Sequence, residues 1–262
     1  MKFPHAETIH PGKVITYKAV GDVELNLHVF YPPGHRPDSQ VPAILFFFGG
    51  GWVNGTPKQF YAQSEHLASR GMVAICVEYR IHSLHQTGPQ ECVQDGKSAI
   101  RYVRAHASEL GIDPNRIAAG GGSAGGHVAA ATATVDGFNE PGEDTSVSCR
   151  PNALVLFNPV YDNGPEGFGF DRVQDYWASF SPLHNLHADM GPAIVLLGTE
   201  DQHLSVERAK EFQKAMQDLG VRSELITYEG EPHGFYNEVK YDETLREMDQ
   251  FLVSLGYLEK QD

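Results

Sequence analysis

The sequence predicts an α/β fold: a mostly parallel sheet of eight strands, led by an antiparallel hairpin and covered by helices on both faces. Three observations carry that prediction. From residue 43 onward, short continuously apolar runs alternate with longer segments of helical periodicity. That is the pattern of βα units whose strands are buried on both sides. Two half-polar segments precede this series and are joined by Gly21-Asp22, a two-residue turn suited to an antiparallel pair. Glycines stop several of the predicted helices, at Gly71, Gly111 and Gly220.

In chain order, residues 14–20 and 23–31 form the hairpin, with alternation across Glu24-Leu25-Asn26-Leu27-His28-Val29. A Pro/Gly-rich loop over 32–42 leads to Ala43-Ile44-Leu45-Phe46-Phe47-Phe48, a strand covered on both faces. Residues 58–69 read as a helix and 72–79 as a buried strand. One long helix is predicted over 91–110, with apolar spacing at Ile100, Val103 and Ala107. A short strand over 116–120 runs into a small-residue helix over 123–135. Residues 153–158 and 193–198 are two more buried strands. An amphipathic helix over 205–219, a last strand over 223–228 and a last helix over 241–255 complete the series. No repeat, low-complexity tract or linker interrupts it, so a single domain over 1–262 is expected. Two loops are long, 136–151 and 163–192. The second holds Phe168, Phe170, Tyr176 and Trp177. It reads either as a wall of a substrate site or as a surface excursion with a small core of its own.

Composition narrows the function. The apolar share of 41% suits a globular chain with a full core. A formal charge of −14 argues against a nucleic-acid partner and offers no attraction to an anionic membrane. No apolar run approaches the roughly 18 residues of a membrane span. The start, Met1-Lys2-Phe3-Pro4-His5, lacks the apolar stretch of a signal peptide. The expectation is a cytoplasmic protein, or a periplasmic or secreted one if a signal has been removed. Three cysteines, Cys76, Cys92 and Cys149, do not make a disulfide framework, and Cys76 reads as a core residue. A homo-oligomer is left open.

The chemistry concentrates at Gly121-Gly122-Ser123-Ala124-Gly125, the G-x-S-x-G pattern of a nucleophile elbow. A serine on a sharp strand-to-helix turn has unfavourable backbone angles, and glycines beside it relieve the clash. The helix that follows aims its N-terminal N–H groups at any oxyanion formed there. Such a serine needs a base, and the base needs an orienting carboxylate. Both follow in order, each just past a predicted strand: Asp201 in Thr199-Glu200-Asp201, with Glu200 its nearest rival, and His233 in Pro232-His233-Gly234-Phe235. The run Phe48-Gly49-Gly50-Gly51-Trp52 after the first central strand exposes backbone N–H groups where an oxyanion hole belongs, and the N–H of Ala124 would complete it.

With these residues the chain resembles bacterial α/β-hydrolase carboxylesterases, of the acetyl-xylan-esterase-like (BD-FAE type) and hormone-sensitive-lipase-like kinds. The resemblance covers nearly the whole chain from about Thr16. It is carried by residues 48–52, Val77-Glu78-Tyr79-Arg80, Arg104-Ala105-His106, residues 111–117, Gly122-Ser123-Ala124-Gly125-Gly126-His127, Gly198-Thr199-Glu200-Asp201 and residues 232–235. It implies a Ser123–Asp201–His233 triad, oxyanion donors at Gly50, Gly51 and Ala124, no cofactor, and an ester substrate on a small molecule or an oligosaccharide. Many relatives begin the glycine loop with histidine where this chain has Phe48, so packing must hold the loop instead. The hairpin starts too early for a helical N-terminal cap, which favours an open site, the acetyl-xylan-esterase-like branch, and short acyl chains over lipids. The same fold and triad also serve arylformamidases and oligopeptidase-like amidases, and a non-catalytic ligand-binding homologue is the rival from another class.

Other residues invite alternatives. His82-x-x-His85 and His184-x-x-His187 have metal-like spacing but no third ligand nearby, so no metal is expected. His127, one turn beyond Ser123, reads as a packed helix residue rather than a base. Trp52 and Tyr236 flank the oxyanion loop and the histidine. With Tyr176 and Trp177 they are candidates for the substrate pocket, or simply core aromatics.

Overall fold

The computed structural model describes residues 3–261. Eight strands form one sheet: β1 (Lys13–Val20), β2 (Val23–Phe30), β3 (Val41–Phe47), β4 (Val73–Val77), β5 (Ile112–Gly122), β6 (Ala153–Phe157), β7 (Ala193–Gly198) and β8 (Ser223–Tyr228). Their order is β1-β2-β4-β3-β5-β6-β7-β8. The first two pair antiparallel with Val20 opposite Val23, which places Gly21-Asp22 in the turn. Strand β2 also runs antiparallel to β4, and every pairing from β4 through β8 is parallel.

Nine α-helices are described: α1 (Tyr61–Ser69), α2 (His82–His85), α3 (Pro89–Ala105), α4 (Ala107–Leu110), α5 (Ala124–Thr134), α6 (Phe170–Val173), α7 (Trp177–Phe180), α8 (Val206–Asp218) and α9 (Tyr241–Ser254). Alternation along the strands sorts the core into two layers. Ile44, Phe46, Ala74, Cys76 and Val155 face α1 and α9. Leu45, Phe47, Ile75, Val77 and Leu156 face α3, α5 and α8. This two-sided burial is why the central strands are apolar at consecutive positions. All three cysteines are free and buried. Among the described residues no helix is long and apolar enough to cross a membrane.

Three boundaries differ from expectation. The helix expected over 91–110 is two helices, broken at His106, whose Nδ1 pairs with the Tyr102 carbonyl (2.9 Å) while its ring stacks on Tyr102. Helix α3 begins early because Pro89 suits a first turn and the Glu91 carboxylate accepts the Gly88 N–H (2.9 Å). Strand β5 begins at Ile112 rather than 116, since Ile112 pairs with Val41 beside it.

Chain order reverses direction across the sheet at β3: β4 lies on one side of it, β5 on the other. Open parallel sheets bind ligands at such a switch point, beyond the C-terminal ends of the strands. The glycine loop after β3 and Ser123 after β5 leave the sheet at that point.

Candidate active site

The turn from β5 into α5 is built around Ser123, with φ 54° and ψ −123°. This is an unfavourable conformation for a residue with a side chain. Four backbone hydrogen bonds hold it: the Ser123 N–H donates to the carbonyls of Phe157 (3.0 Å) and Asn158 (3.1 Å), and its carbonyl accepts from His127 and Val160 (both 3.0 Å). The helix can start so close to the sheet because residue 125 is glycine. A Cβ there would sit 2.1 Å from the Phe47 carbonyl oxygen and 2.3 Å from that of Phe48.

Ser123 Oγ lies 2.9 Å from His233 Nε2, and His233 Nδ1 lies 2.7 Å from Asp201 Oδ2. The Asp201 side chain is inaccessible to solvent. Its other oxygen accepts the backbone N–H groups of His203 (2.9 Å) and Leu204 (3.1 Å), so the carboxylate is fixed from three directions. Glu200 is exposed and makes no hydrogen bond to His233. The tautomer follows: Nδ1 donates to Asp201, leaving Nε2 to accept the serine proton.

The loop 48–52 bends back on itself. The Gly50 carbonyl accepts from Val53 (3.1 Å) and Asn54 (3.0 Å), at a φ of 133° open only to glycine. The Phe48 ring stacks on Tyr79 (centroids 4.1 Å apart), and the Tyr79 hydroxyl donates to the Phe48 carbonyl. Burial pushes the Tyr79 phenol up, which keeps it a donor. Its neighbour Arg80 is clamped by the fully buried Asp95 through Nη2 (2.8 Å) and backbone N–H (2.8 Å), which fixes this support. Packing on Tyr79 is thus how Phe48 anchors the loop. The Gly49 N–H is taken by Gln59 Oε1, and Arg172 Nη1 donates to the Gly51 carbonyl (2.6 Å). Among the described residues no protein group accepts the N–H of Gly50 or Gly51, and both line the cleft beside Ser123. Ala124, next after Ser123, is buried. Its N–H belongs to the first turn of α5, where no intrahelical acceptor exists.

The cleft holds about 430 Å³, and its walls include Gln59, Asn158, Phe168, His203, Tyr236 and Glu238. Tyr236 lines it, with its ring stacked on Phe60 and its phenol pushed up by burial. The three other proposed pocket aromatics do not. Trp52 has a φ of 61° that turns its side chain inward, against His127, Phe168 and Phe180, and it is 1% exposed. Tyr176 packs on Phe138 and Phe180, and Trp177 on Phe170 and His184. The excursion 163–192 is therefore mostly a small core of its own. It offers the cleft Phe168, and the oxyanion loop Arg172.

His127 lies wholly buried between Trp52 and Phe180, and burial drives it down to about 3. It stays neutral and distinct from the base. Three of the paired histidines are held by local partners, His82 by the Thr87 carbonyl, His85 by the Ile81 N–H and His184 by Ser181, and His187 is held by the Ala133 carbonyl of α5.

Sequence reasoning missed Gln59, Asn158 and Arg172. Asn158 carried a faint signal, as the one polar residue at the end of the apolar run 153–158. Gln59 and Arg172 carried none, because each acts on a backbone atom of another loop.

A parallel sheet with a reversal at β3, a serine on a strained turn and an ordered acid and histidine after later strands define the α/β-hydrolase class. Comparison with known proteins agrees. The BD-FAE family model matches residues 27–157, and that of the prolyl oligopeptidase family matches residues 145–256. The apo form of esterase 2 from Thermogutta terrifontis superposes with a TM-score of 0.91 at 41% identity, over 100% of this chain and 98% of that one. The same enzyme has been solved phosphorylated by paraoxon and with butyrate bound. A probable isoprenylcysteine alpha-carbonyl methylesterase of Arabidopsis thaliana is 30% identical over 81% of this chain. Esterase LipC of Mycobacterium tuberculosis is 29% identical over 88% of it. This chain spans 49% and 61% of the lengths of those two relatives. The chain belongs to the α/β-hydrolase esterase family.

Proposed function

We propose that the protein is a serine carboxylesterase that cleaves short-chain, acetyl-type esters through an acyl-enzyme. The observation that carries this reading is the relay Ser123–His233–Asp201, at 2.9 and 2.7 Å, beside the unpaired N–H groups of Gly50 and Gly51. Ser123 Oγ attacks the ester carbonyl as His233 takes its proton, and Asp201 holds the ring. The N–H groups of Gly50, Gly51 and Ala124 receive the oxyanion. The proton on Nε2 then passes to the leaving alcohol, and water repeats the sequence on the acyl-enzyme. No step calls for a cofactor. Family relatives phosphorylated by an organophosphate or holding butyrate support a serine nucleophile and a small acyl group. The exposed Glu238 at the cleft suits a hydroxyl-rich alcohol such as a carbohydrate.

The match of residues 145–256 to the prolyl oligopeptidase family favours a second reading, an amidase with the same triad. Turnover of p-nitrophenyl acetate against an aminoacyl p-nitroanilide separates the two. The ester is expected to dominate, with rates falling from acetate or butyrate to octanoate. Ser123→Ala is expected to remove all but a trace of turnover and all labelling by a fluorophosphonate. Retained turnover in that variant would end the serine-nucleophile reading.

A further inference from the structure

Asn158 stands beside the ring nitrogen of His233 that faces Ser123. It is the first residue beyond β6, fully buried, with a φ of 34°. Its backbone is pinned on both sides: its N–H donates to the Leu196 carbonyl (2.7 Å), and its carbonyl accepts the Ser123 N–H (3.1 Å). Its amide orientation is fixed as well, because Oδ1 accepts the Gly234 N–H (3.2 Å). That leaves Nδ2, an obligate donor, facing His233 Nε2 at 3.4 Å. Neutral Nε2 has one lone pair, and Ser123 Oγ already donates to it at 2.9 Å. Among the described residues the Asn158 Nδ2–H therefore has no acceptor of its own, although it lines the cleft.

An oxygen about 2.8–3.0 Å from both nitrogens, themselves 3.4 Å apart, lies to one side of the line joining them, and the cleft that both residues line supplies that side. We propose that Asn158 is a catalytic residue of deacylation, whose amide donates to the attacking water while that water donates to His233 Nε2. The proposal rests on the acyl-enzyme reading above. With one lone pair held by Asn158 and one proton held by Nε2, the remaining lone pair turns toward the acyl carbonyl. The water oxygen bonds to that carbon as its proton moves to Nε2. The carbon–Oγ bond then breaks, and Nε2 returns the proton to Ser123 Oγ. Carboxylic acid and free serine result, with no other reactant.

The positive φ dictates the variants. Aspartate and glycine tolerate this backbone, so Asn158→Asp keeps the shape without the donor, and Asn158→Gly removes the side chain without strain. The experiment is rapid-mixing kinetics with p-nitrophenyl butyrate, with fluorophosphonate labelling of Ser123 as a count of intact sites. Both variants are expected to label fully and to lose less in the release of the first equivalent of p-nitrophenolate than in steady-state turnover, since His233 and the Gly234 loop serve both steps. Their steady-state turnover should then be about tenfold slower, the scale of one lost hydrogen bond. Added hydroxylamine, a stronger nucleophile than water, should raise turnover more in the variants than in the parent. An equal fall in the first and steady phases, or no fall in either, would overturn the role of Asn158. A parent protein that does not label at Ser123 would overturn the serine-hydrolase reading itself.

Discussion

The two glycine-rich turns of the site, 120–126 and 49–51, are shaped in different ways. The first gets its form from its own chain and the strands it touches. Four main-chain hydrogen bonds hold Ser123, and the adjoining helix rests on the carbonyls of Phe47 and Phe48. The second depends on side chains from three distant segments: Tyr79 under the Phe48 carbonyl, Gln59 on the Gly49 N–H, and Arg172 on the Gly51 carbonyl. A turn made by main-chain contacts is all-or-none. A turn held by separate side chains can be loosened one support at a time. The nucleophile should therefore fail by unfolding, and the oxyanion loop by losing rate.

Substitution at Gly125 tests the first half of that contrast and carries the largest expected effect. An added methyl meets backbone oxygens at 2.1 and 2.3 Å, and neither belongs to a flexible side chain. Helix α5 must lift from β3, so Gly125→Ala should lose about 3 kcal/mol or more of stability, the upper end for overpacking. Urea unfolding of the parent and the variant measures it. A variant as stable as its parent would show that the elbow, too, is adjustable.

Gln59→Leu tests the second half. The side chain keeps nearly the same volume but frees the Gly49 N–H, and the neighbouring Gly50 and Gly51 amides lose their fixed direction. Misplaced donors cost rate rather than binding, and an error of about 1 Å can cost about 10²-fold. The expected result is a fall in kcat of about 10- to 100-fold on p-nitrophenyl acetate with little change in KM, alongside a loss of about 1–3 kcal/mol in urea unfolding for the unpaired Gly49 N–H. A fall confined to KM would mean that Gln59 touches substrate instead of the loop.

The same contrast explains what could be read from the sequence. The sheet was legible because burial on both faces writes itself as runs such as Ala43-Ile44-Leu45-Phe46-Phe47. Ser123, Asp201 and His233 were legible because each sits just past a strand, in the chain order of an α/β-hydrolase. Gln59 and Arg172 were not, because their partners are main-chain atoms 10 and 121 residues away, and a main-chain atom leaves no trace in residue type. Trp52 stayed open between pocket and core for a related reason. The turn at Gly50 and its own positive φ decide which way the indole points, and neither can be read from the letter W. The break at His106 went unseen because the apolar spacing continues through it.

Arg172 offers the finest test of how the oxyanion loop is held, and the smallest effect. It reaches from the excursion to the Gly51 carbonyl at 2.6 Å, with its guanidinium 5.3 Å from the Trp52 ring and 5.5 Å from Phe168. The side chain is exposed, so water competes for every one of these contacts. A solvated hydrogen bond with a cation–π contact contributes about 1 kcal/mol. Arg172→Ala should therefore lower kcat about two- to fivefold, and Arg172→Lys should recover part of the loss by keeping the charge. A loss as large as that of Gln59→Leu would mean that the loop has no stable shape without the excursion. In that case residues 163–192 would be part of the catalytic apparatus, and deleting them would abolish turnover while leaving in place Ser123, whose turn is held by main-chain bonds to residues 127, 157, 158 and 160.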